Sequence, residues 1–451
     1  MTDISAANVP YAGRKTGSIL VTNDNMRRRN ASEARFKAYG IAAIVLSLAT
    51  LAVMLTSIFS DGLTAFSQAK LTFPVTLDAQ TLDPKGNRNL DEMRKVTTVG
   101  YGKALNVAFK AELAARDIAV EGLSDKDVAA LLSKDAPAQL RTMVLADPQI
   151  LGTTVDMTVL ANGRIDGYLK GRVTAESAVN DSNITPQQLV LADKLVDAGI
   201  LDSKLNFDFL TNPDASDQRP EAAGLGVAII GSAYMMLLVL VMTLPVGVAA
   251  SIYLEEFAPK NFWTDLIEVN ISNLAAVPSI VFGILGLAIF INFAGFPQSS
   301  SLVGALVLSL MTLPTIIIAT RASLRAVPPS IRDAALGVGA SKMQTVTHHV
   351  LPLAMPGILT GTILGLATAL GETAPLLLIG MVAFVDNYPG APPQGFLDPA
   401  TALPVQVYGW AQRADPAFIE RSAGAIIVLL GFLVIMNVAA IFLRRRFERR
   451  W

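Results

Sequence analysis

Val327-Pro-Pro-Ser-Ile-Arg-Asp-Ala-Ala-Leu-Gly-Val-Gly-Ala-Ser-Lys-Met-Gln-Thr-Val-Thr-His-His-Val-Leu-Pro352 lies between two long apolar runs, and its punctuation dictates local structure. Ser330 is positioned to N-cap a helix, and Asp333, three residues on, completes a capping box. Pro328 and Pro329 keep that helix from starting earlier. Ala334 and Ala335 leave a low surface that another backbone can approach. Gly337 and Gly339 end the helix and permit a sharp turn. A second helix is predicted from Ser341 to a stop near Pro352. Two short helices at an angle form a rigid knob, suited to passing motion to a partner.

Outward from the knob the chain is apolar. Of 451 residues, 52% are hydrophobic and 16% charged, against about 25% charged in soluble domains. A bilayer core requires roughly 20 apolar residues in a helix. Six stretches qualify: Tyr39–Ser60, Leu225–Tyr253, Leu274–Phe293, Leu302–Ala319, Ile358–Phe384 and Ala423–Leu443. The net charge of −1 offers no field for nucleic acid. With no Cys, thiolate metal sites and disulfides are excluded. His348 and His349 are adjacent, so they point in different directions and suit no metal site on one helix; no metal ligands and no catalytic residues are assigned.

Basic residues set the orientation. Arg27, Arg28, Arg29, Arg35 and Lys37 precede the first run; Arg444, Arg445, Arg446, Arg449 and Arg450 follow the last. Both termini are therefore expected in the cytoplasm of a multi-pass protein, with residues 1–38 a basic tail, 39–60 an uncleaved first span and 444–451 a second basic tail. The knob, in segment 321–354 with Arg321, Arg325, Arg332 and Lys342, falls on the same side. Residues 61–224 then form an inserted domain on the opposite side, and residues 225–443 a five-span core.

The insert is polar enough to fold in water as a small α+β domain. Ser124 with Asp127 opens a helix through Leu132. Val155–Leu160 alternates as a strand, and Asn162-Gly163 is expected to turn a hairpin into Ile165–Val173. Thr185-Pro186 opens a further helix that stops at Gly199. A linker, Asn212–Glu221, leads back to the membrane. The insert contains no catalytic constellation and reads as a docking or spacer domain.

Asp333-Ala334-Ala335, Gly339 and Leu351-Pro352 resemble, in order and spacing, the EAA loop of binding-protein-dependent ABC importer permeases. Asp333 stands for the usual Glu and keeps the carboxylate; His349 stands where Ile or Val is usual. Leu370-Gly-Glu-Thr-Ala-Pro-Leu-Leu377, Asn273-Leu-Ala-Ala-Val-Pro-Ser-Ile-Val-Phe-Gly283 and Met311-Thr-Leu-Pro-Thr315 resemble the PstA-type permease of bacterial phosphate importers over about residues 224–446. The resemblance implies an all-α polytopic protein with a type I importer core of six transmembrane helices in the inner membrane. It implies a second permease as heterodimer partner, a cytoplasmic ATPase dimer docked on the loop, and a periplasmic phosphate-binding protein outside. ATP and Mg would be used by that ATPase; this chain has no Gly-x-x-x-x-Gly-Lys-Ser/Thr run, binds no cofactor of its own and is not an enzyme.

Glu372 lies within the fifth apolar run, so its carboxylate must face protein or water. Pro375 removes a backbone donor and frees the Gly371 carbonyl. With Thr373, and with Arg321 at a basic position of the family, these are the substrate-path candidates. An anion path poses a puzzle at Glu372. Either protonated phosphate donates to the carboxylate, or Glu372 latches onto an Arg of the second permease. Permeation of another oxyanion, molybdate or sulfate, and a membrane sensor with an external domain are the competing readings. A sensor calls for a cytoplasmic output domain, which neither tail is long enough to supply.

Overall fold

The computed structural model describes residues 24–83, 86–381 and 384–447. The tail to residue 23, Arg449 and Arg450 lie outside them. Two compact units divide the chain, residues 1–57 and 58–451. The described part of the first belongs to one helix, α1 (Asp24–Gly62), which carries the expected first span.

The insert is built around β1 (Ser67–Thr76), whose Leu71, Phe73 and Val75 are buried while Lys70, Thr72 and Pro74 face outward less deeply. Strand alternation of this kind puts one face on a core. α2 (Thr98–Ala115), α3 (Asp125–Ala129) and α4 (Ala136–Ala146) follow. Tyr101, Leu105 and Phe109 of α2 and Leu140 and Val144 of α4 join the strand residues in one core. The Ser124 capping box forms, although the helix it opens ends at Ala129. β2 (Thr154–Leu160) and, further on, β3 (Leu201–Leu205) flank β1 antiparallel, in the order β2-β1-β3. Met157 stands opposite Phe73, and Val159 opposite Leu71.

The expected hairpin at Asn162-Gly163 is absent. Asn162 instead N-caps α5 (Gly163–Leu169), its side-chain oxygen accepting from the Arg164 amide. An Asn before a Gly serves a cap as well as a turn, and β2 has its partner upstream in β1. α6 (Pro186–Asp197) matches the reading: Thr185 and Gln188 form its capping box, and Gly199 leaves it at φ +70°.

α7 (Gly226–Ile252) ends in a π turn, Tyr253–Phe257. The expected span Leu274–Phe293 proves to be a bent pair. α8 (Phe262–Ala275) contains Leu274, and α9 (Ser279–Gly286) continues as a π segment to Phe293. The two parts meet at 101°. Pro278 cannot donate to the preceding turn and pushes Val277 out of helical geometry, which places the break. α10 (Ser301–Arg325) carries the expected fourth span. α11 (Pro329–Gly337) is the first knob helix.

The second knob helix does not stop at Pro352. A single helix, α12, runs from Lys342 to Gly371. It absorbs Pro352 because a π turn, Val346–Val350, sits immediately before it; widened turns relieve the missing donor and the ring clash. The chain then breaks and resumes as α13 (Ala374–Leu378), so the fifth run is not helical to Phe384. α14 (Leu403–Ala411), a short buried helix within the expected loop, precedes α15 (Pro416–Phe447). Among the described residues five helices are long and apolar enough to cross a membrane, and the bent pair makes a sixth crossing if counted as one. The chain is thus a helical membrane protein with five or six apolar helices and a small α+β insert.

Candidate functional site

The knob begins one residue before the expected cap. Pro328 is the N-cap, Pro329 occupies the first helical position, and Ser330 and Asp333 form no capping box. A proline at that position has φ preset and lacks only a donor the helix does not use. The far end follows the sequence closely. Gly339 sits at φ +91°, with its amide on Leu336 O at 3.0 Å and the Ala340 amide on Ala335 O at 3.1 Å. This is a Schellman closure, with glycine where an L side chain is strained. Ser341 then caps α12 with Gln344. Asp333 and Ala334 are exposed, Ala335 is buried, and Leu351 and Pro352 are half-buried. Leu336, Val338 and Met343 lie open at the turn, Val338 at 87% exposure. His348 and His349 are exposed on the π turn.

Sequence reading missed what fastens this knob. Arg332 donates to Val327 O at 2.8 Å and Leu324 O at 2.9 Å, satisfying carbonyls at the end of α10, and to Glu256 at 2.7 Å. Arg325 pairs with Glu255 at 2.8 Å. Arg321, a substrate-path candidate, lies between Glu268 at 2.5 Å and Glu255 at 3.4 Å. Its guanidinium is therefore committed to joining α7, α8 and α10. The acidic pair Glu255-Glu256, directly after an apolar run and facing a basic segment, was the available signal.

From the knob, α12 rises along α10 with small residues at every fourth position. Gly357 lies against Ser323, Gly361 against the Ala319 methyl, and a Cβ on Gly365 would sit 2.9 Å from Thr312 Cγ2. Such a small-xxx-small stripe lets helix backbones approach closely in a membrane.

α12 ends at Gly371, and Glu372 adopts an extended conformation (φ −77°, ψ 128°) before Thr373 starts α13. Glu372 and Thr373 are half-buried. Among the described residues the Glu372 carboxylate has no hydrogen-bond or ion-pair partner. The structure brings two of the quoted motifs together at this break: a Cβ on Gly283 would meet Pro375 Cα at 2.7 Å and Pro375 O at 2.9 Å. Glycine at 283 is what allows α9 to lie on the backbone of α13. Arg321 belongs to the other end, with the knob.

Residues 243–451 match the family described as binding-protein-dependent transport system inner membrane component. Residues 23–179 match a domain of unknown function, DUF3333. The probable ABC transporter permease protein YqgI of Bacillus subtilis is 31% identical over 250 residues, 53% of this chain and 83% of the relative. The phosphate transport system permease protein PstA 2 of Mycobacterium bovis is 34% identical over 239 residues, 52% of this chain and 76% of the relative. An inward-facing structure of the MetNI methionine ABC transporter aligns with 50% of this chain and 95% of its own at TM-score 0.37 and 16% identity. The motifs, the crossings and these relatives agree: the chain belongs to the inner-membrane components of binding-protein-dependent transport systems, as a PstA-type permease.

Proposed function

We propose that this chain is a permease subunit of an ATP-driven importer that carries inorganic phosphate across the inner membrane, with both termini cytoplasmic. The observation that carries the coupling mechanism is the continuity of α12, one helix of 30 residues from the knob to the break at Glu372. A continuous helix transmits displacement along its length, so a push on the knob passes through the π turn at Val346–Val350 and along α12 to Glu372. The Arg321–Glu268 and Arg332–Glu256 pairs make the knob, α7, α8 and α10 share that displacement. The glycine stripe gives α12 a smooth track along α10.

In this reading an ATPase dimer grips the exposed Leu336, Val338 and Met343 around the Gly339 turn, a second permease completes the path, and a phosphate-binding protein delivers from outside. The substrate assignment rests on the names of the relatives and on the Gly371–Pro375 motif. At the break, Glu372 accepts a hydrogen bond from protonated phosphate; a latch to a cation of the second permease is the other role open to it. Uptake by the assembled transporter carrying Glu372→Gln separates these. Loss of uptake with the permease pair intact supports the path; loss of the pair itself supports the latch; wild-type uptake removes Glu372 from both.

A further inference from the structure

The insert is joined to the membrane part by more than its two chain connections. Lys170, at the end of α5, and Arg172 just beyond tie Asp166 of α5 to Glu420 on the second turn of α15. Lys170 Nζ lies 2.7 Å from Asp166 and 2.8 Å from Glu420. Arg172 bridges the same two carboxylates. The Lys170 and Glu420 side chains are only 7% and 4% exposed. The next residue, Arg421, is 3% exposed. It donates to Gln68 Oε1 at 2.9 Å, in β1, and to the backbone oxygens of Glu221 and Ala223 at 2.7 and 2.6 Å.

Below these charges the backbones touch. A Cβ on Gly62 would lie 2.7 Å from the Ala423 carbonyl carbon, and one on Gly424 2.7 Å from Ala65 Cβ. Trp410, just before α15, stacks on Phe209 of the insert, and Phe418, on the first turn of α15, tilts against Trp410. Lys170 and Arg172 each pair with Glu420 across the junction, Arg421 crosses it to Gln68, and Asp166 holds the two insert cations from behind. Buried charges are tolerated where they pair in sets of this kind, and removing one member strands its partners. A spacer domain on a tether requires none of this.

We propose that the insert and the outer end of α15 are one mechanical body, clamped by these charges, so that the insert swings with the last span as the transporter changes access. The domain thereby carries the state of the membrane core to the outer surface, and a partner that holds the insert biases α15. This rests on the reading of the chain as a moving permease, and the test separates the two.

The chain has no Cys, so spin labels can be placed at will. Val107 on the insert, Ile419 on α15 and Phe293 at the end of the α9 segment are all exposed. Distances are read by electron–electron resonance in the assembled transporter in lipid nanodiscs, nucleotide-free and ATP-trapped. The expected result is a Val107–Ile419 distance that is narrow and identical in both states, while Val107–Phe293 shifts. In Lys170→Met/Arg172→Met the Val107–Ile419 distribution should broaden, and it should narrow again when Asp166→Asn/Glu420→Gln is added. A Val107–Ile419 distance that shifts between states overturns the clamp alone. So does a distribution indifferent to the loss of both cations. A Val107–Phe293 distance fixed in both states overturns the moving permease and the clamp with it.

Discussion

Single residues decide whether α12 can lie on α10 and what the insert does with its buried acid. Gly361 faces the Ala319 methyl with no room for a side chain. Gly361→Val is expected to cost about 1–3 kcal/mol through overpacking, read as a lower thermal midpoint of the purified subunit, with Leu364→Met at an exposed neighbour as the silent control. Glu221 is buried, and burial pushes its carboxyl above the usual range although Ser133 donates to it and Arg421 lies near. A carboxyl raised in the folded state adds stability that is complete below its unfolded pKa and is lost as pH rises through the folded one. Glu221→Gln should therefore flatten the pH dependence of unfolding, its advantage over wild type growing from acid toward neutral pH. An equal difference at every pH would contradict the assignment. Neither residue announced itself in sequence. A glycine in an apolar run and a glutamate in a linker are ordinary until the facing atoms are known. Gly339, Ser341 and Thr185 were legible because their roles are local: a turn and two caps, specified by residues within four positions.

At the scale of elements, the knob and α12 act together. Gly339 at φ +91° holds a conformation that costs an L residue about 1–2 kcal/mol. Gly339→Val is expected to leave membrane insertion intact while uptake falls and ATP hydrolysis escapes substrate control, measured side by side in proteoliposomes. The Arg332–Glu256 pair predicts non-additivity: Arg332→Ala, Glu256→Ala and the double variant should show a coupling of about 0.5–3 kcal/mol in stability. Additive losses would mean that the pair does not fasten the knob. In the membrane part, element boundaries were where sequence reading failed, and proline was the common cause. Proline was read as a stop at Pro352, where a π turn carries the helix past it. At Pro278 and Pro375 breaks do occur, but they bend or interrupt a run that composition alone presents as continuous. Hydropathy sees the apolar run; it does not see which proline has a widened turn or a glycine partner to accommodate it.

For the whole molecule, the apolar runs give the expected number of crossings and the flanking arginines the expected sidedness; among the described residues five helices are long and apolar enough to cross, and the bent pair adds a sixth if counted as one. Without native Cys, Val338→Cys should react with an impermeant maleimide only from the cytoplasmic face, and Val107→Cys only from the outside. Labelling of both from one side would overturn the topology. The insert's sheet order and its junction with α15 were beyond sequence reading, since β1 pairs with strands as distant as Lys70 from Leu160 and Ser67 from Leu205, and Glu420 meets Lys170 across 250 residues.

The decisive measurement is ATP-dependent phosphate uptake in cells that lack other phosphate transporters, with and without this chain, and with sulfate and molybdate as competitors. A phosphate permease gives saturable uptake that disappears with the chain, returns with the intact chain but not with Gly339→Val, and is unmoved by the competitors. Phosphate uptake that persists without the chain, or that sulfate or molybdate displaces, would contradict that assignment.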